Sequence, residues 1–90
     1  MIEIQKHPIF TKHYHQRIAP TPKLRKQFKE RFNIFLNNQS YPLLHDHPLK
    51  GDKKGTRSFS ISGDLRVIYR RINEYSFLLL DVGTHNQVYK

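Results

Sequence analysis

Ninety residues carry 16 Lys and Arg against 7 Asp and Glu, a net charge of +9 that favours polyanions, either nucleic acid or an acidic protein, as partners. A chain with 37% hydrophobic and 12% aromatic residues at this length supports one domain over residues 1–90 with a small core, and excludes a second domain. The absence of Cys removes disulfides, thiolate zinc sites and cysteine nucleophiles together, which fits a reducing cytoplasm.

The chain opens with IEIQK, whose alternation of apolar and polar residues predicts a short strand. In HPIFTKHYHQRI, Phe10, Tyr14 and Ile18 recur every four residues and Pro8 suits a first helical position, so a short helix follows. APTP interrupts it, and Thr21 before Pro22 starts a second helix running to about Asn38. Along that helix Leu24, Phe28, Phe32 and Phe35 form one apolar stripe, with Lys23, Arg25, Lys26, Lys29 and Arg31 on the remainder. Such a helix must dock on a sheet. Residues 39–55 read as loop, because Pro42, Pro48, Gly51 and Gly55 break any period.

The last third is β. TRSFSIS, LRVIYRRI and SFLLLDVG are rich in β-branched and aromatic residues, and SGD and NEY between them fit hairpin turns. The third run is apolar on both faces, which places it in the interior of the sheet, beside the N-terminal strand. The expected class is α+β, a β-α-α-β-β-β order with both helices on one face of a mainly antiparallel sheet. In LRVIYRRI, period two sends Leu65, Val67 and Tyr69 under the helices and leaves Arg66, Ile68 and Arg70 on the partly open face. Residues 1–20 contain Glu3, Lys6, His7, Lys12, His13, His15 and Arg17, so no apolar leader core is expected there, and no run reaches the ~20 apolar residues that cross a bilayer. No membrane partner is expected.

The loop and meander gather chemistry. His45, His47 and His85 supply imidazoles, a type of side chain whose unperturbed pKa near neutrality suits proton transfer to and from the oxygens of a phosphodiester. Arg57 and Arg66 have the planar fork that holds a phosphate, Lys50, Lys53, Lys54 and Arg70 add positive charge for an RNA backbone, and Tyr89 is a stacking or donor group. Asp64 in SGD is a natural turn residue, and a solvated basic loop would explain much of this inventory. His7, His13, His15 and His45 read as surface or packing residues; His13 and His15, two apart on a helix, make a poor metal pair.

The order of these pieces is more specific than the inventory. HPLKGDKKGTRSFSISGDLRVIY followed by LLLDVGTHNQVY resembles the RelE superfamily of bacterial toxins, in particular its YafQ-like branch. The resemblance lies in an H-x-L-x-G-x-x-K-G-x-R loop, a D-x-x-x-x-Y strand and a terminal G-T-H-x-x-hydrophobic-aromatic signature. It implies the fold just described and an endoribonuclease that cuts mRNA by metal-free 2′-hydroxyl attack, commonly in the ribosomal decoding site beside 16S rRNA. It also implies silencing by an acidic antitoxin; the toxin is monomeric when free and hetero-oligomeric with that antitoxin. No cofactor is implied. Carried over by motif, His47, Asp64, His85 and Tyr89 fall on active-site positions, and Arg66 on the arginine near the scissile phosphate. Three positions depart from the pattern: Ser60 stands in place of a histidine, Leu65 in place of a tryptophan, and Asp81 near the place of an arginine. The alternative is a noncatalytic toxin of the related ParE type that binds DNA gyrase. Such a binder has no need of His47 and His85 with an arginine between them.

Overall fold

The computed structural model describes residues 2–51 and 55–89. The elements are β1 (Glu3–Lys6), α1 (Pro8–Arg17), α2 (Pro22–Asn37), a 3-10 turn at Pro42–Leu44, β2 (His47–Pro48), β3 (Arg57–Ser62), β4 (Leu65–Asn73), β5 (Ser76–Thr84) and α3 (His85–Val88). The strands form one sheet in the order β1-β5-β4-β3-β2, with β1 parallel to β5 and the other pairs antiparallel. The expected plan is present with two additions, β2 within the stretch read as loop and α3 after the last strand.

Local chemistry sets the helix ends. His7 caps α1 by accepting the Ile9 N–H on Nδ1 at 3.1 Å, a role its reading as a surface residue did not include. Thr21 takes the N-cap position of α2, but its side chain makes no capping bond, so Pro22 at the first turn carries the start. The apolar stripe of α2 has its centre at Phe35, which is fully buried, while Leu24, Phe28 and Phe32 are partly buried around the core. The Phe35 ring lies 4.5 Å from Phe59, 4.8 Å from Tyr69 and 5.1 Å from Phe77, centroid to centroid, and so joins α2 to three strands.

Strand alternation sorts the two faces. Phe59 and Ile61 of β3, Val67 and Tyr69 of β4, and Phe77, Leu79 and Val82 of β5 belong to the core under the helices. Ser58, Ser60, Arg66, Ile68 and Arg70 alternate with them and so occupy the far face. That face is partly covered. The α3 turn folds back onto β4 and β5, and Ile68 and Val88 are both buried although neither belongs to the main core. Among the described residues no helix is long and apolar enough to cross a membrane.

The outer edge of β5 is irregular. β1 stops at the Lys6–Leu79 pair, and the β4–β5 register shifts between Ile68 and Tyr69, leaving Leu80 as a bulge. Beyond that point the edge has no strand partner and would expose unpaired backbone groups. Side chains seal it instead. Asp81 Oδ1 accepts the Val82 N–H at 2.8 Å, and Arg17 Nη1 of α1 donates to the Val82 carbonyl at 2.8 Å.

Candidate active site

The strand ladder sets the far-face groups in rows. His47, Ser58 and Ile68 share one row across β2, β3 and β4; Ser60, Arg66 and Gly83 share the next across β3, β4 and β5. Paired residues project to the same side, so His47 and Arg66 stand on one face, two strands apart. The last β4–β5 pair is Leu65–Thr84, with Asp64 and His85 each one residue beyond it. His47 and Arg66 therefore share one face, Asp64 and His85 flank the end of the strand pair that carries Arg66, and Tyr89 follows α3.

His47 is exposed, and its Nδ1 lies 2.8 Å from the carbonyl oxygen of His45. A carbonyl only accepts, so Nδ1 carries the proton and the neutral ring leaves Nε2 free as a base. His45 adopts φ 49°, the left-handed conformation that turns the chain for this contact. His85 begins α3, whose start is fixed by a capping box: Gln87 N–H donates to Thr84 Oγ1, and Thr84 N–H donates to Gln87 Oε1 at 2.8 Å. The His85 ring is exposed and packs edge-on to Tyr89 at 4.4 Å, which restricts its orientation.

Arg66 is half-buried, and its Nε is fully enclosed with no hydrogen-bond partner among the described residues. The Tyr89 hydroxyl and Ser58 Oγ are in the same condition. Unpaired buried donors cost about 1–3 kcal/mol each, so these groups lower the stability of the free fold. Asp64 sits exposed in the two-residue turn after Gly63, whose φ of 48° the turn requires, and has no partner among the described residues. Lys50 and Arg70 are exposed on the loop and the far face respectively, while Lys53 and Lys54 lie outside the described residues.

Arg57, grouped with the RNA-binding residues on sequence, stands on the other face. It alternates with Phe59 and Ile61 and therefore points to the helix side, where its Nε donates to Asp46 Oδ1 at 2.7 Å. Tyr69 donates its hydroxyl to the other oxygen of Asp46. The Asp46 side chain is only 6% exposed. Burial, then the hydrogen bond and charge of Asp46, pushes the Tyr69 phenol well above its ordinary range. Burial acts to lower the pKa of Arg57, but the bond to and charge of Asp46 outweigh it and the net direction is upward. The cluster borders a cleft of about 510 Å³ that also includes Tyr41, His45 and Arg71.

His13, expected only on the surface or in packing, also lies near the site, as does Arg17. His13 Nδ1 donates to Asp81 Oδ1 at 2.6 Å, so His13 is neither simple surface nor simple packing, and Arg17 Nη1 lies 3.6 Å from the same oxygen. Asp81, the position where an arginine was expected, thus gathers two donors from α1. Among the described residues no group of three or more His, Asp or Glu is clustered as a metal site.

Against this geometry, comparison with known proteins is specific. A family model described as the bacterial toxin of type II toxin–antitoxin systems, YafQ, matches residues 2–90. The chain belongs to the YafQ toxin family. Among solved structures, a histidine-to-glutamine variant of Escherichia coli YafQ matches with a TM-score of 0.82 at 21% identity, covering 100% of both chains. The E. coli DinJ–YafQ complex gives 0.80 at 22% identity, again over 100% of both chains. A metal-bound toxin from Helicobacter pylori gives 0.75 at 26% identity over 98% of this chain and 99% of that one. No curated protein sequence matches the chain. At these identities the YafQ structures support the shared fold, and the family match supports the toxin role.

Proposed function

We propose that this YafQ-family toxin is an endoribonuclease that cuts mRNA, in association with the ribosome, by attack of the 2′-hydroxyl on the adjacent phosphate. The observation that carries this reading is the far face itself. A half-buried Arg66 stands there on the same face as the exposed His47, with the exposed His85 one residue beyond the last pair of its ladder. A phosphodiester offers acceptors to the guanidinium of such an arginine. His47, with Nε2 free, takes the proton of the 2′-hydroxyl. Arg66 stabilises the charge that develops on the pentacoordinate phosphate, and His85, held against Tyr89, returns a proton to the departing 5′-oxygen. Asp64, one residue beyond the same ladder pair as His85, adds a carboxylate at this end of the site. Lys50 and Arg70 hold flanking phosphates, and an acidic antitoxin covers this face, as DinJ pairs with YafQ in the E. coli complex.

Product analysis tests the chemistry. Cleavage of an RNA oligonucleotide in EDTA, and of mRNA on ribosomes, should leave 5′-hydroxyl ends and 2′,3′-cyclic or 3′-phosphates. Purified His85→Gln should bind RNA and ribosomes like the wild type but cut neither. Ends bearing 5′-phosphate, or an active His85→Gln variant, would overturn the mechanism.

A further inference from the structure

Arg17 is the charged side chain near the far face that this mechanism leaves unused, and its placement is costly enough to need explaining. It starts from α1 on the helix side, yet its guanidinium reaches around the free edge of β5. A Cβ built on Gly83 would lie 2.7 Å from Arg17 Nη1 and 2.7 Å from Gln87 Oε1, closer than side-chain carbons approach such atoms, so Gly83 leaves the space that the guanidinium occupies. Gly83 is the ladder partner of Arg66, and cross-strand Cβ positions lie about 5 Å apart. The Arg17 head is therefore within roughly 8 Å of the Arg66 Cβ, the sum of that spacing and the 2.7 Å gap.

Its bonding is also incomplete. Nη1 donates to the Val82 carbonyl, while Asp81 Oδ1, 3.6 Å away, already accepts from His13 and from Val82 N–H. The carboxylate aims the guanidinium without saturating it. Nε and Nη2 have no hydrogen-bond partner among the described residues, and the side chain keeps 21% of its surface exposed. A planar cation with free donors beside a phosphate-binding arginine fits a second phosphate.

We propose that Arg17 is a substrate-binding residue that holds an RNA backbone phosphate next to the scissile one, positioned by Asp81 and the Val82 carbonyl; this rests on the reading of the far face as an RNA site. The alternative is that Arg17 only ties α1 to the sheet edge.

Salt dependence separates the two. The probe is a 2′-methoxy-substituted RNA oligonucleotide, which binds without being cut, and the readout is the slope of log Kd against log salt. Arg17→Gln keeps a donor for the Val82 carbonyl but loses the charge. It should reduce the magnitude of the slope by about 0.7, the contribution of one phosphate on a single strand, and weaken binding about fivefold at 0.1 M salt. Arg17→Lys should restore the slope. If Arg17→Gln melts well below the wild type, Gly83→Ala takes its place, because the added methyl displaces the guanidinium while α1 stays whole, with Gln87→Ala measured beside it to account for the other side chain that the methyl meets. A wild-type slope in the substituted protein overturns the role of Arg17 and leaves the ribonuclease reading standing. Wild-type protein that neither binds this RNA in a salt-dependent way nor cuts RNA overturns both.

Discussion

The sheet carries a polar cluster on each face, each anchored by a strand arginine and completed in a different way. On the helix side, Asp46, Arg57 and Tyr69 satisfy one another: the buried carboxylate accepts from the guanidinium on one oxygen and from the phenol on the other. On the far side, Arg66 and Tyr89 end in enclosed donors with nothing to donate to among the described residues. Arg57 and Arg66 are both strand arginines of a basic protein, yet one belongs to a closed network and the other to an open one. The helix-side network contributes to stability, since both oxygens of the buried carboxylate and the phenol are occupied. An open one lowers stability and is retained where a ligand completes it, which is why the far face is the place to look for chemistry.

If that contrast is right, substitutions on the two faces should separate activity from stability. The largest effect is expected at Arg66. Arg66→Met should lower the single-turnover cleavage rate by about 10²–10³, the size of one preorganised charge stabiliser. Its melting temperature should equal or exceed that of the wild type, because an unpaired buried donor is removed. Cleavage assays and thermal melts on the same preparation check both halves. A variant that loses stability together with activity would mean that Arg66 is paired in the free protein and that the far face is not open.

Asp46→Ala should do the reverse. It leaves the Tyr69 hydroxyl without its acceptor and Arg57 without its carboxylate, at a cost of about 1–3 kcal/mol in urea unfolding. Cleavage per folded molecule should stay near that of the wild type. A large fall in rate at full folding would move Asp46, and with it Arg57, into the reaction.

How much of this contrast is visible in the sequence depends on whether the cause is local. Period two in LRVIYRRI sends Val67 and Tyr69 one way and Arg66 and Arg70 the other, and the structure follows it. The same rule applied to RSFSIS puts Arg57 with Phe59 and Ile61, on the helix side; grouping it with the basic loop overlooked that signal. The α3 turn was also legible, since Thr84 and Gln87 have the spacing of a capping box, but it is masked by the strand that runs directly into it. Asp46 is different. HDHP reads as loop, and nothing nearby shows that a tyrosine 23 residues later needs an acceptor. His13 and Asp81 are 68 residues apart, and only the early end of β1 together with the bulge in β5 creates the edge at which they meet.

The smallest expected effect tests whether the helix-side network is as closed as its geometry implies, and it is read through pH. Tyr69 has its folded-state pKa raised above the ordinary 10.0 by burial and by Asp46. Below pH 10 the phenol is protonated in both the folded and unfolded chains, so its contribution to stability is fully present. As pH rises past 10.0, the unfolded chain releases the proton first and the contribution declines, by about 1.4 kcal/mol per pH unit until the folded-state value is reached. Tyr69→Phe lacks this dependence. At pH 8 it should be less stable than the wild type by about 1 kcal/mol, the net worth of the hydroxyl bond. The gap should narrow above pH 10 and close near pH 11, where about one unit of deprotonation offsets it. Paired urea titrations at pH 8, 10 and 11 measure the gap directly, because ionisations common to both proteins cancel in the difference. A gap that stays constant across that range would mean the Tyr69 hydroxyl reaches solvent, and the helix-side cluster would then be as open as the face that carries Arg66.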